Sequence, residues 1–192
     1  GIIIAYRPWL DVVPVDANST QGMPVPHLSD PHVCFALWRT KGLTILLGGV
    51  YLHASLGFAG DNLCIMAHLM EFLRLFGLML LIFGDWNALP AEFPQSGWLQ
   101  AMDAVLVVPD AKVTCTTGVG RVLDYCVCSR GLASAVESVT LQLRAPWKPH
   151  AALQLAVLAR PREALAPQPR HLPALPRAQG PDLPWGHYCA WA

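Results

Sequence analysis

The chain has 192 residues, room for one ordinary globular domain and little beyond it. At 54% hydrophobic and 14% charged it is too apolar to be a disordered protein. Thirteen basic residues balance thirteen acidic ones, so no global basic field argues for nucleic acid, although a local patch stays open.

Residues 2–6 (Ile-Ile-Ile-Ala-Tyr) read as a strand stopped by Arg7-Pro8, and the sequence enters it from Gly1 with no lead-in, so the domain is expected to be N-terminally incomplete. Prolines, Asn18-Ser19-Thr20 and Gln21-Gly22 make residues 11–31 a long irregular excursion. Residues 33–38 and 43–52 are strands on either side of the turn signal Lys41-Gly42, which predicts an antiparallel hairpin. Asp61 is the expected N-cap of a helix over 61–76. Projected on that helix, Asp61, His68, Glu71 and Arg74 form one thin polar stripe, and Gly77 is placed to end it.

Leu78-Met79-Leu80-Leu81-Ile82-Phe83 then runs without a polar break into Gly84-Asp85-Trp86-Asn87. An unalternating apolar run bounded by turn formers predicts a strand buried on both faces. The window 69–83 is interrupted by Glu71, Arg74 and Gly77 and is too short and too charged to span a membrane. Short helical turns are expected at 90–93, ended by Pro94, and at 96–102. Strands are expected at 104–108, 122–128, 137–143 and 152–158, the third alternating as a half-exposed strand does. From residue 160 the character changes: seven prolines in 33 residues read as a tail or linker, leaving 1–159 as the domain. Hairpin, helix and buried strand in succession indicate α/β layers.

Six cysteines show no C-x-x-C pair and no finger-spaced histidine, so zinc is not expected. Cys126 and Cys128, two apart in an apolar strand, share one face as small core residues. No basic-then-apolar leader is present, and reduced thiols suit an intracellular location, the nucleus among the candidates.

Few polar residues stand against these apolar strands: Tyr51 and His53 ending one, Asp85 and Asn87 ending another, Asp124 inside a third, His150 before the last. Asp85 and Asn87 can serve a strand-end turn alone or a ligand. A carboxylate inside an apolar strand costs several kcal/mol unless paired, so Asp124 needs a partner, and a histidine is a natural one. A carboxylate–imidazole pair beside a second carboxylate and a carboxamide supplies the groups that phosphoryl chemistry uses. His53 reads as a rim histidine, His32 as solvated, and Trp86 as packing under its loop.

In this order the motifs resemble the endonuclease/exonuclease/phosphatase superfamily, with the endonuclease region of non-LTR retroelements the nearest flavour. Leu81-Ile82-Phe83-Gly84-Asp85-Trp86-Asn87 is similar to its Gly-Asp-(Phe/Trp)-Asn motif. Thr114 and the run Gly120-Arg121-Val122-Leu123-Asp124-Tyr125-Cys126-Val127-Cys128-Ser129 resemble its Thr…Asp-Tyr…Ser strand, and Pro149-His150 with the strand after it its closing Ser-Asp-His motif. The resemblance covers roughly residues 1–160. It implies a layered sandwich of two mixed β-sheets flanked by helices. It also implies a Mg²⁺- or Mn²⁺-dependent phosphodiester hydrolase, such as an apurinic-type or retroelement endonuclease, acting on DNA. Asp85 would be base or metal carboxylate, Asn87 would orient phosphate and nucleophile, Asp124 would hold His150 against the scissile phosphate, and Tyr51 would contact that phosphate. The superfamily's first-strand Asn and metal-binding Glu find no match, and Pro149 stands where it has an Asp. Two other readings are therefore carried: a nuclease-fold binding or scaffold module, and a phosphodiesterase of a small phosphorylated substrate.

Overall fold

Apolar runs too short for helices and bounded by glycine, proline or polar turns become strands, and the one long run with helical periodicity becomes the main helix. The computed structural model describes residues 2–15, 31–40, 42–144 and 148–158. The proline-rich stretch 160–192, most of the excursion at 11–31 and the turn residue Lys41 lie outside the described residues. In chain order the elements are β1 (Val12–Pro14), β2 (Val33–Thr40), β3 (Leu43–Tyr51), α1 (Asp61–Phe76), β4 (Met79–Asp85), a 3-10 helix (Pro90–Ser96), α2 (Trp98–Ala101), β5 (Ala104–Val107), β6 (Asp124–Ser129), α3 (Arg130–Ala133), β7 (Val136–Gln142) and β8 (Ala152–Val157).

Six strands form one sheet in the order β1-β2-β3-β4-β6-β5, and β7 pairs with β8 in a second. The large sheet is mixed, because β3 runs parallel to β4 while the other neighbours are antiparallel. The expected hairpin is present, with Thr40 opposite Leu43 and Val33 opposite Val50. In the small sheet the pairing is antiparallel along its described length.

The central strands are buried on both faces, as an unbroken apolar run requires. On one face Leu46, Val50, Leu80, Ile82, Tyr125 and Val127 pack on Ile65, Leu69, Phe72 and Leu73 of α1. On the other, Ile45, Leu81, Cys126 and Cys128 pack with Leu132 of α3 and with Val136 and Leu155 of the small sheet. Burial pushes the Cys128 thiol up to about 11 and Cys126 higher still, so both are inert core residues. Trp86 is fully buried between Phe93, Trp98 and Tyr125 and donates its indole N–H to the Tyr125 carbonyl (3.0 Å), so it packs under the loop as expected.

Four expectations are corrected. Residues 2–7 pair with no strand, although Ile2 crosses the sheet so closely that its Cγ2 lies 2.5 Å from where a Gly49 Cβ would stand. Asp61 is the first residue of α1 and caps nothing; Gly60 occupies the N-cap position without a side-chain bond. The solvent side of α1 carries Leu63 besides the charged residues, while Asn62 turns inward and is fully buried. The first helical turn also continues through Pro94 to Ser96, entered by the Glu92 carboxylate accepting the Leu89 N–H (2.8 Å). Gly77 ends α1 as expected, in a left-handed conformation with its N–H on the Leu73 carbonyl. Among the described residues no helix is long and apolar enough to cross a membrane.

Candidate phosphate-handling site

Strand register brings the polar residues together. Tyr51 lies opposite Asp85, and Asp85 opposite Asp124, so three strand ends form one row. Each sits an even number of residues from the chain's small-sheet-facing positions (Asp85 from Leu81, Asp124 from Cys126), so the carboxylates project to that face. Gly84 permits the crowding here: a Cβ would stand 2.3 Å from Val50 Cγ1 and 2.9 Å from the Val50 carbonyl oxygen.

His150 arrives from the other sheet, two residues before β8. Its Nδ1 lies 3.0 Å from each Asp124 carboxylate oxygen, which identifies Nδ1–H as the donor and Asp124 as the partner that its burial demands. Its Nε2 lies 3.6 Å from Asp85 Oδ2 and 3.6 Å from Cys115 Sγ, too far from Asp85 for a direct hydrogen bond. Residues 114–116 fix this placement. The buried Thr114 Oγ1 accepts the N–H groups of Leu123 and Asp124 (both 2.9 Å), and the Thr114 carbonyl accepts the Ala151 N–H (2.8 Å). Thr116 donates both its N–H and its hydroxyl to the Pro149 carbonyl. One short segment thus holds Asp124 on one side and His150 on the other.

Asp85 and Asn87 form the strand-end turn that their spacing permits: the Asn87 N–H donates to Asp85 Oδ1 (3.2 Å), and Asn87 adopts the left-handed conformation that Asn tolerates. The Asn87 carboxamide is anchored by its Nδ2 on the Leu52 carbonyl (2.7 Å). Desolvation first, then the Asp124 charge, raise the Asp85 carboxyl above its usual range; His150 and Asn87 pull the other way. A raised carboxylate is a stronger base.

Asp85, Asp124 and His150 each offer a ligand atom within 4.8 Å of the others. Both Asp124 oxygens face His150 Nδ1, which leaves Asp85 Oδ2 as the carboxylate oxygen open to a cation. Pro149 supplies no side-chain donor, and Ile2–Ala5, which cross this face along a cavity of about 980 Å³ lined also by Tyr51, Asp85 and Asp124, are apolar. One carboxylate with water and substrate phosphate completing the shell is within the habit of Mg²⁺, so the donors fit a lightly held hard cation.

All five residues expected at a site, Tyr51, Asp85, Asn87, Asp124 and His150, therefore fall at one end of the large sheet. Cys115, against His150, and His32, stacked on Tyr51, were not expected there. The signal for His32 was available: a turn at 41–42 sets Thr40 against Leu43, and counting eight steps outward lands His32 on Tyr51.

No family model matches this chain. No curated protein matches its sequence. Its backbone is similar to the endonuclease domain of TRAS1, a telomere-specific non-LTR retrotransposon, over 81% of this chain and 72% of that one, at 14% identity and a TM-score of 0.61. It is also similar to the AP endonuclease LMAP from Leishmania major, over 67% of this chain and 55% of that one, at 16% identity and a TM-score of 0.54. The chain thus spans just over half of the Leishmania protein's length. The chain shares the mixed α/β fold of these two solved structures.

Proposed function

We propose that this chain is a metal-dependent phosphodiester hydrolase acting on DNA, of the apurinic or retroelement endonuclease kind. The observation that carries the reading is the Asp124–His150 pair beside Asp85, with Nδ1 held at 3.0 Å from Asp124 and Nε2 turned to the Asp85 side. The similar solved structures, an endonuclease domain and an AP endonuclease, support DNA as the substrate class.

In this reading Asp124 fixes the tautomer and direction of the imidazole, so that Nε2 meets a phosphate oxygen and stabilises charge developing in the transition state. Asp85, its carboxyl raised by burial and by Asp124, takes the proton of the attacking water. Asn87, clamped to the Leu52 carbonyl, orients that water or the phosphate, and Tyr51 contacts the phosphate from the adjacent strand. In place of that role as base, Asp85 would be the carboxylate that holds Mg²⁺ or Mn²⁺, which when bound would polarise the phosphoryl oxygen and neutralise its charge.

A supercoiled-plasmid nicking assay with Mg²⁺ or Mn²⁺ tests this. The chain nicks the plasmid, chelator abolishes nicking, and Asp85→Ala or His150→Ala each lowers the rate by about 10²- to 10⁴-fold. Nicking unchanged by either substitution overturns the assignment. Pro149 favours a second reading, a nuclease-fold module that binds DNA without cutting it. Tight plasmid binding with no nicking in either metal selects that reading.

A further inference from the structure

Asn62 takes no part in the chemistry above, yet it is a fully buried carboxamide in the first turn of α1. A buried amide costs free energy unless its groups are bonded, and this one uses its oxygen and both amide hydrogens. Its Oδ1 accepts the His53 N–H (2.7 Å), and its Nδ2 donates to the carbonyls of His53 (2.9 Å) and Gly57 (2.7 Å). Aspartate lacks the donors and leucine lacks donors and acceptor alike, so the set calls for a carboxamide. Local preference works against the turn that it holds. Ser55 sits at φ 67°, in the left-handed region that a residue with a Cβ seldom occupies.

The His53 N–H belongs to the same peptide unit as the Leu52 carbonyl, and that carbonyl accepts the Asn87 Nδ2 (2.7 Å). A peptide unit is planar, so its two polar ends cannot turn independently. Asn62 and Asn87 therefore grip opposite ends of one rigid plate. Leu52 is fully buried and its own N–H is already fixed on the Asp85 carbonyl (3.0 Å). The freedom left to the plate is rotation, and Asn62 is the group that stops it. In a buried setting a peptide whose N–H is bonded offers a stronger carbonyl acceptor, so the Asn62 bond also tightens the one to Asn87. That carbonyl decides which way round the Asn87 amide lies. With Nδ2 on Leu52, the second amide hydrogen and Oδ1 are left for the site.

We infer that Asn62 is a positioning residue for the candidate site: through the Leu52–His53 peptide it holds the Asn87 carboxamide in its working orientation. This rests on the hydrolase reading for what Asn87 does, whereas the link itself is read without hydrolysis. In amide NMR spectra, Asn62→Ala shifts the Asn87 side-chain resonances. The indole N–H of Trp86, next along the chain but bonded to the Tyr125 carbonyl, stays where it is. In plasmid nicking with Mg²⁺, Asn62→Ala lowers kcat about tenfold in the folded population and leaves KM within about twofold. In an Asn87→Ala background the same substitution changes kcat by less than about twofold, because the group it acts through is gone. A loop clamp with no link to Asn87 gives the same factor in both backgrounds, and that result overturns the inference. So does a folded Asn62→Ala chain whose Asn87 resonances have not moved. Should Asn62→Ala fail to fold, couplings across the two hydrogen bonds of the unmodified chain decide, from His53 N to Asn62 Cγ and from Asn87 Nδ2 to the Leu52 carbonyl carbon. Both present support the link, and either one missing overturns it. An Asn87 shift in a chain that nicks no plasmid removes the hydrolase reading and leaves the positioning; nicking with unmoved resonances does the reverse.

Discussion

Burial and the neighbouring Asp124 carboxylate push the Asp85 carboxyl above the ordinary carboxylate range, against the pull of His150 and Asn87. The folded chain therefore binds a proton at Asp85 more tightly than the unfolded chain does. Stability then falls as pH rises from the ordinary value of 3.8 through the raised one, and the full penalty is present above it. Asp85→Asn removes the charge and keeps an oxygen for the Asn87 N–H, so it raises Tm at pH 7, with a gain that shrinks toward about pH 4. On the proposed function, the same substitution also lowers hydrolysis by about 10²-fold or more. Thermal melts of both proteins at the two pH values check this; an equal Tm difference at both would show that Asp85 carries no such penalty. Residues of this kind were legible because polar groups at the ends of apolar strands stand out: Asp85, Asn87, Asp124 and His150 all did. Asn62 was not, since a carboxamide in the first turn of a helix looks like any solvated residue until the loop that it clamps is folded over it.

Among the elements, the 114–116 segment does most to assemble the site while having no regular structure. Thr114→Val keeps the shape and removes the acceptor for two backbone N–H groups, at about 1–3 kcal/mol for a buried donor left unpaired. The expected result is a loss of about 2 kcal/mol in urea unfolding, recovered for the most part by Thr114→Ser; a full-stability Thr114→Val would show that water replaces the hydroxyl. Regular elements were read with success where composition alone decides them. Thus α1 ends at Gly77, and β4 is buried on both faces. Those decided by partners were not. Val12–Pro14 is three residues ending in a proline, yet it pairs as an edge strand because Val12 and Val13 meet Trp38 and Leu37 of the hairpin. Ile2–Tyr6 has the stronger strand composition and pairs with none. The one-turn α3 is too short to show any periodicity.

At the scale of the whole molecule the site belongs to neither sheet. Asp85 and Asp124 end strands of the large sheet, whereas His150 leads into β8 of the small one, so the 3.0 Å contact between His150 and Asp124 depends on how the two sheets pack. That packing is carried by Leu155 and Val136 against Leu81, Cys126, Cys128 and Leu132. Strand order did not follow from chain order here. The β4–β6 neighbourhood that joins the two carboxylates skips β5, and nothing in the order of elements along the chain announces it. Leu155→Ala tests the dependence without touching a polar group. Leu155 is half-buried, so truncation costs about 1–2 kcal/mol, below the 2–5 kcal/mol of a fully buried leucine. If sheet packing sets the imidazole, hydrolysis at saturating DNA falls about tenfold in the folded population. DNA affinity, which Tyr51 on the large sheet would serve, stays within about twofold, and the His150 ring resonances broaden. Rates equal to wild type after correction for the fraction folded would mean that the hydrogen bonds of residues 114–116 to Pro149 and Ala151 hold His150 without help from the core beneath it.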